Sequence, residues 1–111
     1  MQERSTVETV LTTKRPLIVR ALRRSKIRKK IADYLFEISP SGSYTSEIAY
    51  HTKTTPTNVL GALRGMGTRY KKEESLLTLN IIEQIHEEND GIKLYRITDF
   101  GREVLESIQE R

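Results

Sequence analysis

Cysteine is absent from this 111-residue chain, which excludes a disulfide framework and every thiolate metal site. No stretch approaches the roughly 20 apolar residues needed to span a bilayer. The opening Met1-Gln2-Glu3-Arg4-Ser5 lacks the apolar run of a signal peptide, so a cytoplasmic location is the default expectation. The two histidines, His51 and His86, are far apart and have no His-x-x-x-His partner, so no metal site is expected and His51 is read as a surface or capping residue at a helix end. There is no glycine-rich phosphate loop, no nucleophile elbow and no HExxH. The carboxylate pairs Glu73-Glu74 and Glu87-Glu88 are sequence neighbours, which do not converge on a shared cleft, and are read as solvated charge. The chain is therefore expected to be no enzyme and to need no cofactor.

What is present is a single soluble globule. Hydrophobic residues make up 36% and charged residues 31%, with aliphatic side chains recurring at regular spacings, enough for one modest core. The formal net charge of +4 conceals an asymmetry: residues 1–30 carry ten Lys and Arg against two Glu, net +8, while the rest carries nine basic against thirteen acidic residues, net −4. A cationic segment on an acidic body suits phosphate contact through counterion release, and it suits a solvated charged face equally well.

Residues 1–13 read as an arm or short helix. Pro16 fits a first helical turn, and Leu17, Ile18, Ala21 and Leu22 follow at helical spacing beside Arg20, Arg23 and Arg24. Ser25 is a good N-cap for a second helix, in which Ile27, Ile31, Tyr34, Leu35 and Ile38 keep to one stripe before Ser39-Pro40-Ser41-Gly42 ends it. Tyr44 is placed in a very short strand, and Thr45 or Ser46 is expected to cap a brief helix with Ile48 and Ala49 on its core face. Lys53 and Thr54 form a turn, Thr55 an N-cap and Pro56 the first residue of a helix running to about Met66. On a 100° wheel Val59, Leu63 and Met66 share the packed side, and Thr57, Asn58, Gly61, Arg64 and Gly65 the presented side. A charged connection with Arg69, Tyr70, Lys71 and Lys72 follows. Leu76, Leu77 and Leu79 are read as one more helical turn and Ile81, Ile82 and Ile85 as the approach to a strand. Asn89-Asp90-Gly91 is a tight-turn signal between two strand-like runs. Thr98 caps a last helix carrying Phe100, Val104, Leu105 and Ile108.

From about Ser25 to Leu105 this order resembles the winged helix-turn-helix transcriptional regulators of archaea and bacteria, the broad MarR-like, ArsR-like and PadR-like group. The most similar piece is Tyr95-Arg96-Ile97-Thr98-Asp99-Phe100-Gly101-Arg102-Glu103-Val104-Leu105, which looks like a second wing strand followed by a Thr-x-x-Gly helix. The resemblance implies an α+β, mainly helical fold with a two-stranded hairpin wing and flanking helices: an N-terminal arm and basic helix over residues 1–24, available for dimerisation, and a DNA-binding domain over 25–111.

It also implies that the helix from Thr55 to Met66 enters the major groove, with Thr54, Thr55, Thr57, Asn58 and Arg64 as contacts. The residue types suit this, since Asn can pair bidentately with adenine, Thr can meet phosphate or a thymine methyl, and Arg can grip guanine or phosphate. The wing would comprise Asn89, Asp90, Gly91 and Lys93. Its acidic tip, with Glu87, Glu88 and Asp90, argues against minor-groove insertion. Electrostatic work then falls to Arg20, Arg23, Arg24, Arg28, Lys29 and Lys30 as phosphate contacts. The leading expectation is a double-stranded DNA-binding transcriptional regulator acting as a homodimer, with subunits meeting through Leu17, Ile18, Leu22, Val104, Leu105 and Ile108 and with any small-molecule effector unknown. The alternatives are a winged-helix protein-interaction adaptor in a transcription or replication assembly, or an RNA-binding protein that uses the basic segment.

Overall fold

The computed structural model describes residues 16–67, 71–86 and 93–109. Helix α1 covers residues 16–24 and is followed, after the single residue Ser25, by α2 (Lys26–Ile38). Ser25 caps α2 as the sequence predicts, its Oγ accepting from the Arg28 amide at 3.2 Å. Next come the two-residue strand β1 (Ser43–Tyr44), α3 (Thr45–Thr52) and α4 (Pro56–Arg64), then a 3-10 turn (Lys72–Glu74), strands β2 (Ile82–His86) and β3 (Lys93–Ile97), and α5 (Asp99–Gln109).

The hairpin is not a free-standing pair. β1 adds to β3 antiparallel, giving a three-stranded sheet in the order β1-β3-β2, with Ser43 opposite Tyr95 and Gln84 opposite Tyr95 on the other side. Tyr95 thus sits at the centre of the sheet, 1% exposed. The single core draws on every helix: Ile18, Ala21 and Leu22 from α1, Ile31, Ala32 and Leu35 from α2, Ile48 and Ala49 from α3, Val59, Ala62 and Leu63 from α4, and Val104 and Leu105 from α5 join Ile82, Tyr95 and Ile97 of the sheet. The α1 residues belong to the same core as the rest. Ile18, Leu22, Val104 and Leu105, expected to meet a second subunit, are covered by their own chain, so only the partly buried Leu17 and Ile108 of that set keep accessible surface.

Several boundaries differ from the sequence reading for identifiable reasons. α3 begins one residue early, with Tyr44 as N-cap, because Glu47 reaches back and accepts from the Tyr44 amide at 3.0 Å and from Ser43 Oγ at 3.0 Å. α4 stops at Arg64 instead of Met66. Gly65 there adopts φ 89°, ψ 144°, and a Cβ on it would come within 2.6 Å of the Lys72 Cα. Met66 consequently leaves the packed stripe and is 46% exposed, while Gly61, placed on the presented side by the wheel, is buried. The leucines after the 3-10 turn form consecutive turns and no helix. Leu76 and Leu77 donate their amides to the Ala62 and Leu63 carbonyls of α4, which holds this segment against the helix end.

Thr98 caps α5 as predicted. Its Oγ1 accepts from the Gly101 amide at 2.8 Å and donates to the Asn80 carbonyl at 2.7 Å, so one hydroxyl joins the last helix to the strand approach. Among the described residues no helix is long and apolar enough to cross a membrane.

Candidate nucleic-acid interface

α3 and α4 meet through a short turn in which Lys53 takes a left-handed conformation (φ 58°, ψ 48°) and Thr54 donates its amide to the Ala49 carbonyl at 3.0 Å. Pro56 occupies the first turn of α4 and Thr55 is its N-cap, the Oγ1 accepting from the Asn58 amide at 3.1 Å. Asn58 closes the turn from the other side: its Nδ2 donates to Thr54 Oγ1 at 2.9 Å. That bond fixes the side-chain amide while leaving its second N–H and its Oδ1 for an outside partner, the two groups that adenine recognition needs. Thr55, Pro56 and Thr57 are exposed and Asn58 is half-buried, while Val59, Ala62 and Leu63 are fully buried beneath them. The helix is therefore seated on one side, with its N-terminal turn standing clear.

The C-terminal end of α4 is built differently. Arg64 Nη2 donates to Gln84 Oε1 at 3.1 Å and to the Tyr95 hydroxyl at 3.0 Å, tying the helix to both strands of the hairpin. Beside it runs a groove of about 470 Å³ lined by Tyr44, Thr45, Ser46, Pro56, Leu60, Arg64, Lys93 and Tyr95. Lys93 is the exposed first residue of β3. The other wing residues of the sequence reading, Asn89, Asp90 and Gly91, lie outside the described residues, as do Arg69 and Tyr70.

The N-terminal cations do not behave as one set. Arg28 is the clear correction: it is 2% exposed, and its guanidinium pairs with Glu74 at 3.5 Å and donates to the Lys71 carbonyl at 3.5 Å, so it faces the interior and offers no phosphate contact. Glu74 also takes Arg24 at 3.2 Å, although half of the Arg24 side chain stays accessible. Lys29 pairs with Asp33 one turn on, at 2.7 Å. Arg20, Arg23 and Lys30 are exposed. Arg23, Lys26, Lys29 and Lys30 converge on a groove between α1, α2 and α5 that also has Val19, Leu22 and Ile108 in its walls, at about 480 Å³. That groove shares no residue with the one beside Arg64, so the cationic cluster and the presented helix line separate clefts.

The aromatics are used mainly in packing. Tyr34 and Phe36 lie half-buried against the core, and His51 stacks on Tyr34 with ring centroids 4.8 Å apart while Tyr50, 79% exposed, meets it edge-on. Sequence spacing gave no sign of this contact between α2 and α3, because the two rings are seventeen positions apart.

The EarA-like family model matches residues 18–108, nearly all of the segment just described. The chain belongs to the EarA-like family. An uncharacterized protein of Methanocaldococcus jannaschii is 41% identical to it over 96 residues, covering 86% of this chain and 85% of the relative. Among solved structures, this EarA-like chain is similar to the homodimeric winged helix-turn-helix DNA-binding domain from Mycobacterium bovis, described as a possible ArsR-family transcriptional regulator, with a TM-score of 0.63 and 18% identity over 99% of this chain and 88% of that one. A mutant of MepR from a multidrug-resistant S. aureus clinical isolate matches with a TM-score of 0.63 and 16% identity, covering 98% of this chain and 77% of that one. ZitR of Lactococcus lactis, a double mutant in its apo form, matches at 0.57 and 16% identity, over 97% and 73% of the two chains. The EarA-like fold seen here is a winged helix-turn-helix, as the order of motifs along the chain predicts.

Proposed function

We propose that this EarA-like protein is a DNA-binding transcriptional regulator that inserts the N-terminal turn of α4 into the major groove. The observation that carries this reading is the first turn of α4: Thr57 exposed and Asn58 held by Thr54, on a helix anchored by Val59, Ala62 and Leu63. In helix-turn-helix proteins it is the N-terminal residues of the second helix that meet base edges. Thr57 and Asn58 are the base-contacting candidates. Thr54 and Thr55 have their hydroxyl oxygens engaged at the helix start and act by holding it, with their hydroxyl protons left for phosphate. Of the phosphate-contact candidates, Arg20, Arg23, Arg24, Lys29 and Lys30 keep accessible charge, and with Lys93 they supply attraction without sequence preference.

Selecting bound sequences from a random duplex pool, alongside shift assays with single strands and structured RNA across salt, tests the assignment. Wild-type protein is expected to enrich a duplex motif, and Asn58→Ala to lose preference at one position at a cost of about 1–3 kcal/mol. Preference for RNA, or no nucleic-acid binding at all, overturns it; the second result leaves the adaptor role.

A homodimer completes the proposal, because two half-sites one helical turn apart add their binding free energies, and the similar M. bovis domain is homodimeric. Sedimentation of the wild-type chain is expected to give twice the chain mass. A monomer at high concentration sinks that part.

A further inference from the structure

Arg64 sits eight residues beyond Pro56, about 12 Å along the axis of α4 at 1.5 Å per residue. If the first turn of α4 reaches the groove floor, Arg64 lies at the level of the sugar-phosphate backbone. Its own hydrogen bonds point the same way. A guanidinium has five N–H groups, and its two bidentate edges are Nη1 with Nη2 and Nε with Nη2. Both therefore need a hydrogen on Nη2. In this structure Nη2 already has two acceptors, Gln84 Oε1 and the Tyr95 hydroxyl. A fork-on-base contact to guanine O6 and N7 is thus unavailable while these bonds stand, and the two N–H groups of Nη1 and the one of Nε remain as donors outside any fork.

The two acceptors are a built pair. Gln84 and Tyr95 are direct cross-strand partners of β2 and β3, so their side chains emerge side by side on one face of the sheet. The Tyr95 ring is immobilised in the core, at 1% exposure, which makes its hydroxyl a fixed post. The groove beside Arg64 carries a second cation, Lys93, together with Thr45 and Ser46 of α3, whose hydroxyls are phosphate-bonding groups.

We infer that Arg64 grips a backbone phosphate in the groove between α3, α4 and β3 and reads no base, with Tyr95 and Gln84 as the positioning residues that aim it. This rests on the proposed DNA binding of α4. It replaces the base-contacting role that the position of Arg64 on the helix wheel allowed.

The experiment titrates a mixed-sequence DNA duplex with wild type, Arg64→Ala, Tyr95→Phe and Gln84→Ala at several salt concentrations, and repeats the random-pool selection with Arg64→Ala. Loss of one phosphate contact lowers the slope of log affinity against log salt by about 0.9. Arg64→Ala is expected to show that reduction and to enrich the same motif as wild type. Tyr95→Phe and Gln84→Ala keep the charge, so the wild-type slope is expected with affinity several-fold weaker and melting close to wild type. Should Tyr95→Phe fold poorly, Gln84→Ala gives the same reading from the half-buried partner. An unchanged slope in Arg64→Ala, or loss of preference at one base position, overturns the phosphate assignment while leaving DNA binding intact. Unchanged affinity in both positioning variants overturns their role. Absence of duplex binding by wild type defeats both the proposed function and this inference.

Discussion

Gly101→Ala is expected to destabilise this protein strongly for the addition of a single methyl group. A Cβ at that position would overlap the Ile81 carbonyl oxygen and come within 2.9 Å of Ile97 Cγ1. The obstacle is backbone, so it cannot swing aside as the end of a flexible side chain would. That same carbonyl accepts from the Thr98 amide at 2.9 Å and the Thr98 hydroxyl at 3.2 Å, so displacing it disturbs the cap of α5 as well. Forcing extra volume into a packed site costs typically 1–3 kcal/mol, and the loss of cap bonds adds to this. The expected total is above about 3 kcal/mol, a large share of the ~5–15 kcal/mol that holds a domain of this size folded. Thermal unfolding followed by circular dichroism checks it. A melting temperature within a few degrees of wild type would show that the Ile81 segment yields at little cost, contrary to the packing described.

The second large effect is expected at Glu74. This carboxylate, 6% exposed, is the common partner of Arg24 and the buried Arg28, and it joins the segment after α4 to both N-terminal helices. Removing one member of a buried ion pair costs about 3–5 kcal/mol, because the other charge stays inside without its counter-charge. Glu74→Ala is therefore expected to destabilise by about that amount, since the buried Arg28 and the half-exposed Arg24 both lose the Glu74 carboxylate. Replacing both residues by apolar side chains of similar volume, Arg28→Met with Glu74→Leu, is expected to recover most of the loss or more, since desolvating the pair offsets much of its attraction. Denaturant unfolding of Arg28→Met, Glu74→Leu and the double variant measures the coupling. Losses that simply add, with no recovery in the double variant, would count against a buried pair acting as a unit.

These residues also mark how far the sequence could be read. Caps are local: a hydroxyl at Ser25, Thr55 or Thr98 needs only an amide three residues away, and each bond is present. Helical stripes and the strand runs around Asn89-Asp90-Gly91 are equally local, which is why the element order and the winged-helix class were legible. Arg28 was not, because Glu74, a carboxylate it meets inside, lies 46 positions downstream in a segment whose sequence reads as solvated charge. Met66 escaped because the wheel assumes a continuing helix, whereas Gly65 ends it. The first turn of α4 could be anticipated from Thr54 to Asn58. The tether on Arg64 could not, since it depends on two strands meeting across a register that no spacing encodes.

Because β3 pairs with β1 on one side and β2 on the other, and β1 runs directly into α3, the middle of the hairpin at Leu94 and Tyr95 is joined to the start of the helix-turn-helix. Under the proposed DNA binding, a duplex that tilts the hairpin tilts the start of α3 with it. β3 is thereby braced along both edges, by β1 on one side and β2 on the other.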